Sequence, residues 1–369
     1  MNNMREYDRV FAKGTPTAFI IESPFHLLCT LEAIKEFEIS DYCLVLVLEK
    51  DNIRNKQLFS MLRERNLEYD IYYEEEAVQY KSIVNNKRYD RVMLGDYDDL
   101  NILRMCLVYA STNATPIFMD DGISSIMILK ELPYKHTPVF AKIREWVKGP
   151  IGLERARRSI LREWETAGIK DYNYFFTIYS EIKSKKFIVY PNNFAHILEQ
   201  SASENPGVVI IVGTVIDIVA SRLGLSTALI EGIIWDKLVE VRNLHPKAEI
   251  IYVPHGRDTN CHIEQLCGCL QIRFVRLDKP IENYVIDEKL NVEAIYGYTS
   301  TALSTLKAMT NAPVVHWVIR NKHGESWYLT KQYIKYYEQM GMRTEMMWIP
   351  EMSWWEHMKK TIIKYACKK

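Results

Sequence analysis

Short runs rich in Val, Ile and Leu, each stopping at a polar cluster, recur along the chain: TAFIIES (17–23), DYCLVLVLEK (41–50), YDRVMLGD (89–96), TPIFMDDG (115–122), PGVVIIVGT (206–214) and AEIIYVPHG (248–256). They lack the alternation of a half-exposed strand. Continuous apolar runs of this length belong to strands buried on both faces, which requires a parallel sheet covered by helices. Stretches with helical spacing lie between them. One is FHLLCTLEAIKEF (25–37), which sets Leu27, Leu28, Leu31 and Ile34 on one face. The alternation breaks at about 134–186, a stretch rich in aromatic and basic residues, and resumes with KFIVY. The expected fold class is therefore α/β, with two Rossmann-like, doubly wound domains facing a central cleft. Their expected bounds are 1–185 and 186–349, followed by an amphipathic helix at 350–369 that packs back across both.

A length of 369 residues suits two such domains. The 47 basic and 47 acidic side chains cancel, so no global field favours nucleic acid and any anion site must be local. No stretch approaches the roughly 18–20 apolar residues that span a bilayer, and MNNMREYDRVFAKG lacks the apolar core of a signal peptide. Of the seven cysteines, Cys261, Cys267 and Cys269 cluster, but no Cys or Cys/His pair at zinc-like spacing faces them. The expectation is a chain without a metal in a reducing, cytoplasmic setting. Residues 142–164 interleave Lys142, Arg144, Lys148, Arg155, Arg157, Arg158 and Arg162 with Trp146, Leu153, Ile160, Leu161 and Trp164. Two readings stay open for them. One is a peripheral contact with the cytoplasmic face of the inner membrane, worth about 1 kcal/mol per basic residue. The other is a solvated helix pair with aromatic anchors, or a homodimer interface.

Ligands of doubly wound sheets gather at the carboxyl ends of the strands, and five polar clusters fall there. In GYTSTAL (297–303), Thr299, Ser300 and Thr301 stand where a helix begins. They can cap it, and the helix start can bind a phosphate. Gly213 and Thr214 end another strand. In PHGRD (254–258), His255 can donate to a phosphate oxygen or protonate a departing one. Gly256 would let a ligand approach the backbone, and Arg257 can pair with phosphate or with Asp258. In DDG (120–122), two adjacent carboxylates on an extended chain cannot face the same way. One of Asp120 and Asp121 enters the cleft as a general base or a sugar-hydroxyl acceptor, while the other binds backbone amides. Asp-Gly is also a common turn pair. Glu231, before Gly232, is a further carboxylate candidate, and Asp236 a weaker one. In ESPFH (22–26), Ser23 precedes Pro24 at a helix start and can cap it or bind substrate.

Taken in order, IESPFHLLCTLEAI, DDGISSI, IIYVPHGRD and YGYTSTALSTL resemble glycosyltransferase family 52, the bacterial sialyltransferases. The resemblance implies a GT-B fold with a metal-independent cleft and CMP held mainly by the C-terminal half. By the same resemblance, His255 matches the histidine of the family's His-Pro motif, with Gly256 in the place of proline. Ser300 and Thr301 match the hydroxyl pair that holds the phosphate. Glu282, in KPIENYVI, matches the acidic residue that meets the cytidine. Glu231 is nearest to the family's catalytic carboxylate, a glutamate where the family has aspartate. Related sialyltransferases instead take their base from an N-terminal Asp/Glu-Gly motif, which would be Asp121 or Asp120 here. The implied activity is inverting transfer of sialic acid from CMP-sialic acid to a galactose-terminated surface glycan of lipooligosaccharide, O-antigen or capsule, with no cofactor. The partners are then that donor and a glycan acceptor. Two alternatives stay open: another nucleotide-sugar transferase, for glucosyl or Kdo transfer, and a non-catalytic nucleotide-sugar binding protein, to which the departures at Gly256 and Glu231 point.

Overall fold

A computed structural model describes residues 7–131, 150–169, 172–198, 207–320 and 327–348. The chain forms two compact units, Met1–Gln200 and Ser201–Lys369. The sheet of the first contains β1 (Thr17–Ile21), β2 (Tyr42–Leu48), β3 (Asp70–Tyr73), β4 (Tyr89–Leu94), β5 (Ala110–Met119), β6 (Tyr174–Thr177) and β7 (Ile188–Pro191), in the order β3-β2-β1-β4-β5-β6-β7. In the second unit, β8 (Val208–Val212), β9 (Glu249–Val253), β10 (Arg273–Phe274), β11 (Val292–Tyr298), β12 (Val314–Arg320) and β13 (Arg343–Trp348) take the order β10-β9-β8-β11-β12-β13. Every pairing in both sheets is parallel. Both sheets wind outward from their first strand, then step back across it to the fourth. The reversals fall between β1 and β4 and between β8 and β11, and a crevice opens at the carboxyl end of such a reversal.

Sequence explains these elements directly. β1 and β8 are buried along their whole length, as strands covered on both faces must be. Helix α1 (Pro24–Glu36) starts with Pro24 in its first turn and Ser23 as N-cap, Ser23 Oγ accepting the His26 N–H at 3.2 Å. Helix α2 is Ile53–Glu64 and α3 is Leu100–Tyr109, the latter capped by Asp99. Helix α4 is Ser124–Leu129, and α5 is Pro150–Thr166. Trp164 of α5 is buried and donates its indole N–H to Leu103 O of α3 at 3.0 Å, which fastens one helix to the other. In the second unit, α6 is Thr227–Leu244, α7 Ile281–Asp287 and α8 Thr301–Thr310.

The first unit extends beyond the expected bound at 185, because 188–191 adds β7 to its sheet, with Ile188 opposite Tyr174. The helix expected at 350–369 lies outside the described residues, as do 142–149 of the basic stretch. Within α5, Arg155, Arg158 and Arg162 are exposed while Ile160 and Trp164 are buried. Glu154 pairs with Arg158 at 2.9 Å, and Arg157 bonds Asp98 at 2.8 Å and stacks over Tyr97. Among the described residues no single helix is long and apolar enough to cross a membrane.

Candidate functional site

At the reversal of the first sheet, the segments following β1, β4 and β5 bring together Glu22, His26, Asp96 and Asp121. The Gly95 N–H donates to Ile20 O at 2.9 Å, keeping β4 against β1 to its end. His26, on the first turn of α1, is fully buried. Its Nδ1 faces the Glu22 backbone N–H at 3.4 Å, and its Nε2 lies 3.3 Å from Asp121 Oδ1. A backbone donor at Nδ1 leaves the ring proton on Nε2, which donates to Asp121. Asp121 Oδ2 also accepts from Ser124 Oγ at 2.7 Å, and the Asp121 N–H donates to Ser125 Oγ at 3.0 Å. The Asp121 side chain remains 36% exposed against 0% for His26, so Asp121 is the member of this pair that a ligand can reach.

The carboxyl groups of this cluster titrate in opposite directions. Burial, with help from Asp96, Asp99 and Asp121, pushes Glu22 up to about 7. Burial and the charge of Asp121 push Asp96 up to about 6. Asp121 is desolvated too, but the hydrogen bond and charge of His26, the hydrogen bond from Ser124 and the charge of Arg54 together outweigh burial and hold it below the ordinary carboxylate value. Environments that separate neighbouring carboxyl groups in this way assign acid and base roles. Its neighbour Asp120 points the other way. It is fully buried and accepts from Thr177 Oγ1 and from the Ile178 N–H at 2.7 Å. Burial lifts it to about 7.

In the second unit, the reversal joins the ends of β8 and β11. A Cβ at Gly297 would stand 2.7 Å from Val212 O, and one at Gly213 would stand 2.6 Å from the Tyr252 hydroxyl. Both glycines are set by close packing of the strand ends. Thr214 follows, half-buried. Beyond β9, His255 is half-buried and its Nδ1 accepts the Arg257 N–H at 3.1 Å, so the neutral ring carries its proton on Nε2. Gly256 and Arg257 are exposed, and a Cβ at Gly256 would meet open space. Packing does not demand glycine there. Ser300 is the N-cap of α8, its Oγ accepting the Ala302 N–H at 3.3 Å, and Thr301 is the first helical residue. Thr299 Oγ1 lies 2.7 Å from His316 Nε2. Burial pushes His316 down to about 3, so its ring stays neutral.

Two further carboxylates are tied elsewhere. Glu231, on α6, takes Asn260 Nδ2 at 2.5 Å and faces His262 Nδ1 at 3.3 Å. Glu282 is buried, because the first turn of α7 directs it towards α8, where Thr305 Oγ1 donates to it. This ties it to a neighbouring helix, and the resemblance has this residue meeting the cytidine. Glu32, Glu36 and His196 have ligand atoms within 4.8 Å of one another. Glu32 accepts the His196 and Ile197 N–H groups at 3.0 and 3.1 Å, and Glu36 takes Tyr190 at 2.6 Å and His196 Nε2 at 3.1 Å. These bonds fasten α1 to 190–197 and account for the cluster. Sequence reasoning places Glu22 at the end of the first strand without a role, and the residues that it passes over are His26, Asp96 and His316. Each of the first two of these lies within a few residues of the end of an apolar run, but nothing local in the sequence says that they meet Asp121.

No protein-family model matches the chain, and no curated protein matches it. Among solved structures, a UDP-N-acetylglucosamine 2-epimerase is similar at 10% identity and a TM-score of 0.51, over 95% of this chain and 87% of its own. A sialyltransferase from Photobacterium damselae, taken over its GT-B domain, has 10% identity and a TM-score of 0.47, over 90% of this chain and 100% of its own. The 2,6-sialyltransferase of Photobacterium sp. JT-ISH-224, solved with CMP and lactose, has 14% identity and a TM-score of 0.46, over 90% and 78%. The likeness to the epimerase is one of fold: two parallel-sheet α/β units, the architecture common to GT-B glycosyltransferases and these epimerases. It does not single out family 52.

Proposed function

We propose that the chain is an inverting, metal-independent glycosyltransferase that moves sialic acid from CMP-sialic acid to a galactose-terminated surface glycan. The observation that carries this reading is Asp121, a part-exposed carboxylate at a strand-order reversal, held ionised by His26 and Ser124. In this reading Asp121 takes the proton of the acceptor hydroxyl as that oxygen bonds to the anomeric carbon. The bond from that carbon to the phosphate oxygen breaks on the opposite face, so a single displacement inverts configuration. Within the second unit, the resemblance to family 52 assigns the phosphate to His255, whose Nε2–H can donate to it, and to the start of α8 with Ser300 and Thr301. CMP leaves with one phosphate, for which these donors are sufficient. Asp120 and Glu231 are the weaker candidates for the base, one being fully buried and the other tied to Asn260. The choice of donor rests on the ordered motifs that resemble family 52.

A second reading, conversion of a UDP-sugar without an acceptor, is favoured by the fold likeness to the epimerase. A panel of CMP- and UDP-sugars, each with and without lactose, separates the two. CMP should raise the melting temperature where UDP does not, and CMP release from CMP-sialic acid should require the galactoside. His255→Ala should cut turnover by about 10²–10⁴-fold while the protein still folds. Consumption of a UDP-sugar with no acceptor present would transfer the assignment to the second reading.

A further inference from the structure

We infer that His26 is the positioning residue of this site: its Nε2–H holds Asp121 in the orientation from which it takes a proton, and Gly95 keeps open the space in which the ring sits. The inference rests on the reading of Asp121 as the base.

Consider what surrounds Asp121. Glu22 follows β1, Asp96 and Asp99 follow β4, Arg54 opens α2, and Ser124 opens α4. The carboxyl groups here outnumber the cations, and together with burial they oppose ionisation of Asp121, so its direct donors decide the balance. Arg54 acts at longer range than the groups bonded to Asp121. The direct donors are Ser124 and His26, and of the two His26 is the one enclosed on every side. Burial resists a charged imidazole, while the hydrogen bond and charge of Asp121 favour one, and the balance is upward. The Glu22 N–H sets the limit, because a doubly protonated ring would confront it with a second donor at Nδ1. His26 is therefore built to donate to Asp121 and not to carry its proton away.

Gly95 supplies an independent observation. A Cβ there would stand 2.4 Å from His26 Nδ1, 2.7 Å from Cγ and 3.0 Å from Cε1. Its backbone is not in the left-handed region, so conformational freedom does not call for glycine. The imidazole does. Any side chain at this position must push the ring, and a ring with no exposed surface can yield only by giving up its bonds.

The test is the pH profile of kcat in four variants: Asp121→Asn, His26→Leu, His26→Gln and Gly95→Ala, each checked for folding by circular dichroism. Losing a hydrogen bond to a charged group should lower kcat in His26→Leu by about 10–100-fold. The KM for donor should stay where it was. The acid limb should move to higher pH, since an Asp121 without its donor is protonated more readily. His26→Gln, whose amide can donate, should recover part of the rate and part of the shift. Gly95→Ala should reproduce the shift with the histidine still present. A folded His26→Leu or Gly95→Ala enzyme with an unmoved acid limb would overturn the inference, even with Asp121→Asn inactive. An active Asp121→Asn enzyme would overturn the reading of the base, and this inference with it.

Discussion

Burial lifts the Asp120 carboxyl from 3.8 to about 7 despite the bonds it accepts from Thr177 and Ile178, because no solvent reaches it. Its folded-state pKa lies above the unfolded one, so the folded protein binds this proton more tightly. The resulting stabilisation is complete below about 4 and is lost as the pH rises through about 7. Each pKa unit is worth about 1.4 kcal/mol, so the effect is on the order of 4–5 kcal/mol for a group this enclosed. Glu22 and Asp96 act in the same direction. The melting temperature should therefore fall between pH 5 and pH 8, and Asp120→Asn should flatten that slope. An equally steep slope in the variant, measured by calorimetry, would remove Asp120 from the account. DDG, PHGRD and TST were legible because polar residues that follow an apolar run stand out. His26 and Asp96 were not, because they meet Asp121 only through the placement of β4 between β1 and β5, which no local pattern encodes. His316 lies inside an apolar run and reads as core, and it is buried. Its bond to Thr299 is a long-range fact.

Helix α5 depends on one side chain more than on its many charges. Trp164 is fully buried and its indole N–H is spent on Leu103 O, so it contributes both apolar burial and a directional bond. Trp164→Ala should cost about 3–5 kcal/mol. Trp164→Phe, which keeps most of the volume and gives up the bond, should cost about 1 kcal/mol. Urea unfolding of both variants checks this, and a Trp164→Phe protein as stable as the parent would mean that the bond contributes nothing. The sequence pattern located the strands within a few residues: TAFIIES contains Thr17–Ile21, and PGVVIIVGT contains Val208–Val212. It misassigned KFIVY to the second domain. An apolar run declares a strand but not its sheet, and β7 joins the first unit by pairing with β6.

The whole chain repeats one plan. In each unit the first strand is central, the second and third lie to one side, and the fourth steps across. A core of the second unit is formed from residues between Val209 and Met347. Gly297→Ala, which sets a Cβ 2.7 Å from Val212 O, should cost that unit about 1–3 kcal/mol. Hydrogen exchange followed by mass spectrometry should show faster exchange in β8, β11 and β12 and unaltered protection in β1, β2 and β4. Loss of protection in both sets would show that the units unfold together. This strand arrangement also bears on how the protein is made. Among the described residues neither sheet contains a hairpin, so no two neighbouring strands there can zip up beside a tight turn, and β1 lacks its second flank until Leu94 has left the ribosome. Pairings of that kind are slow to form, and the apolar strands wait uncovered in the nascent chain, which makes this a protein whose yield in the cell should depend on chaperones and on temperature during synthesis.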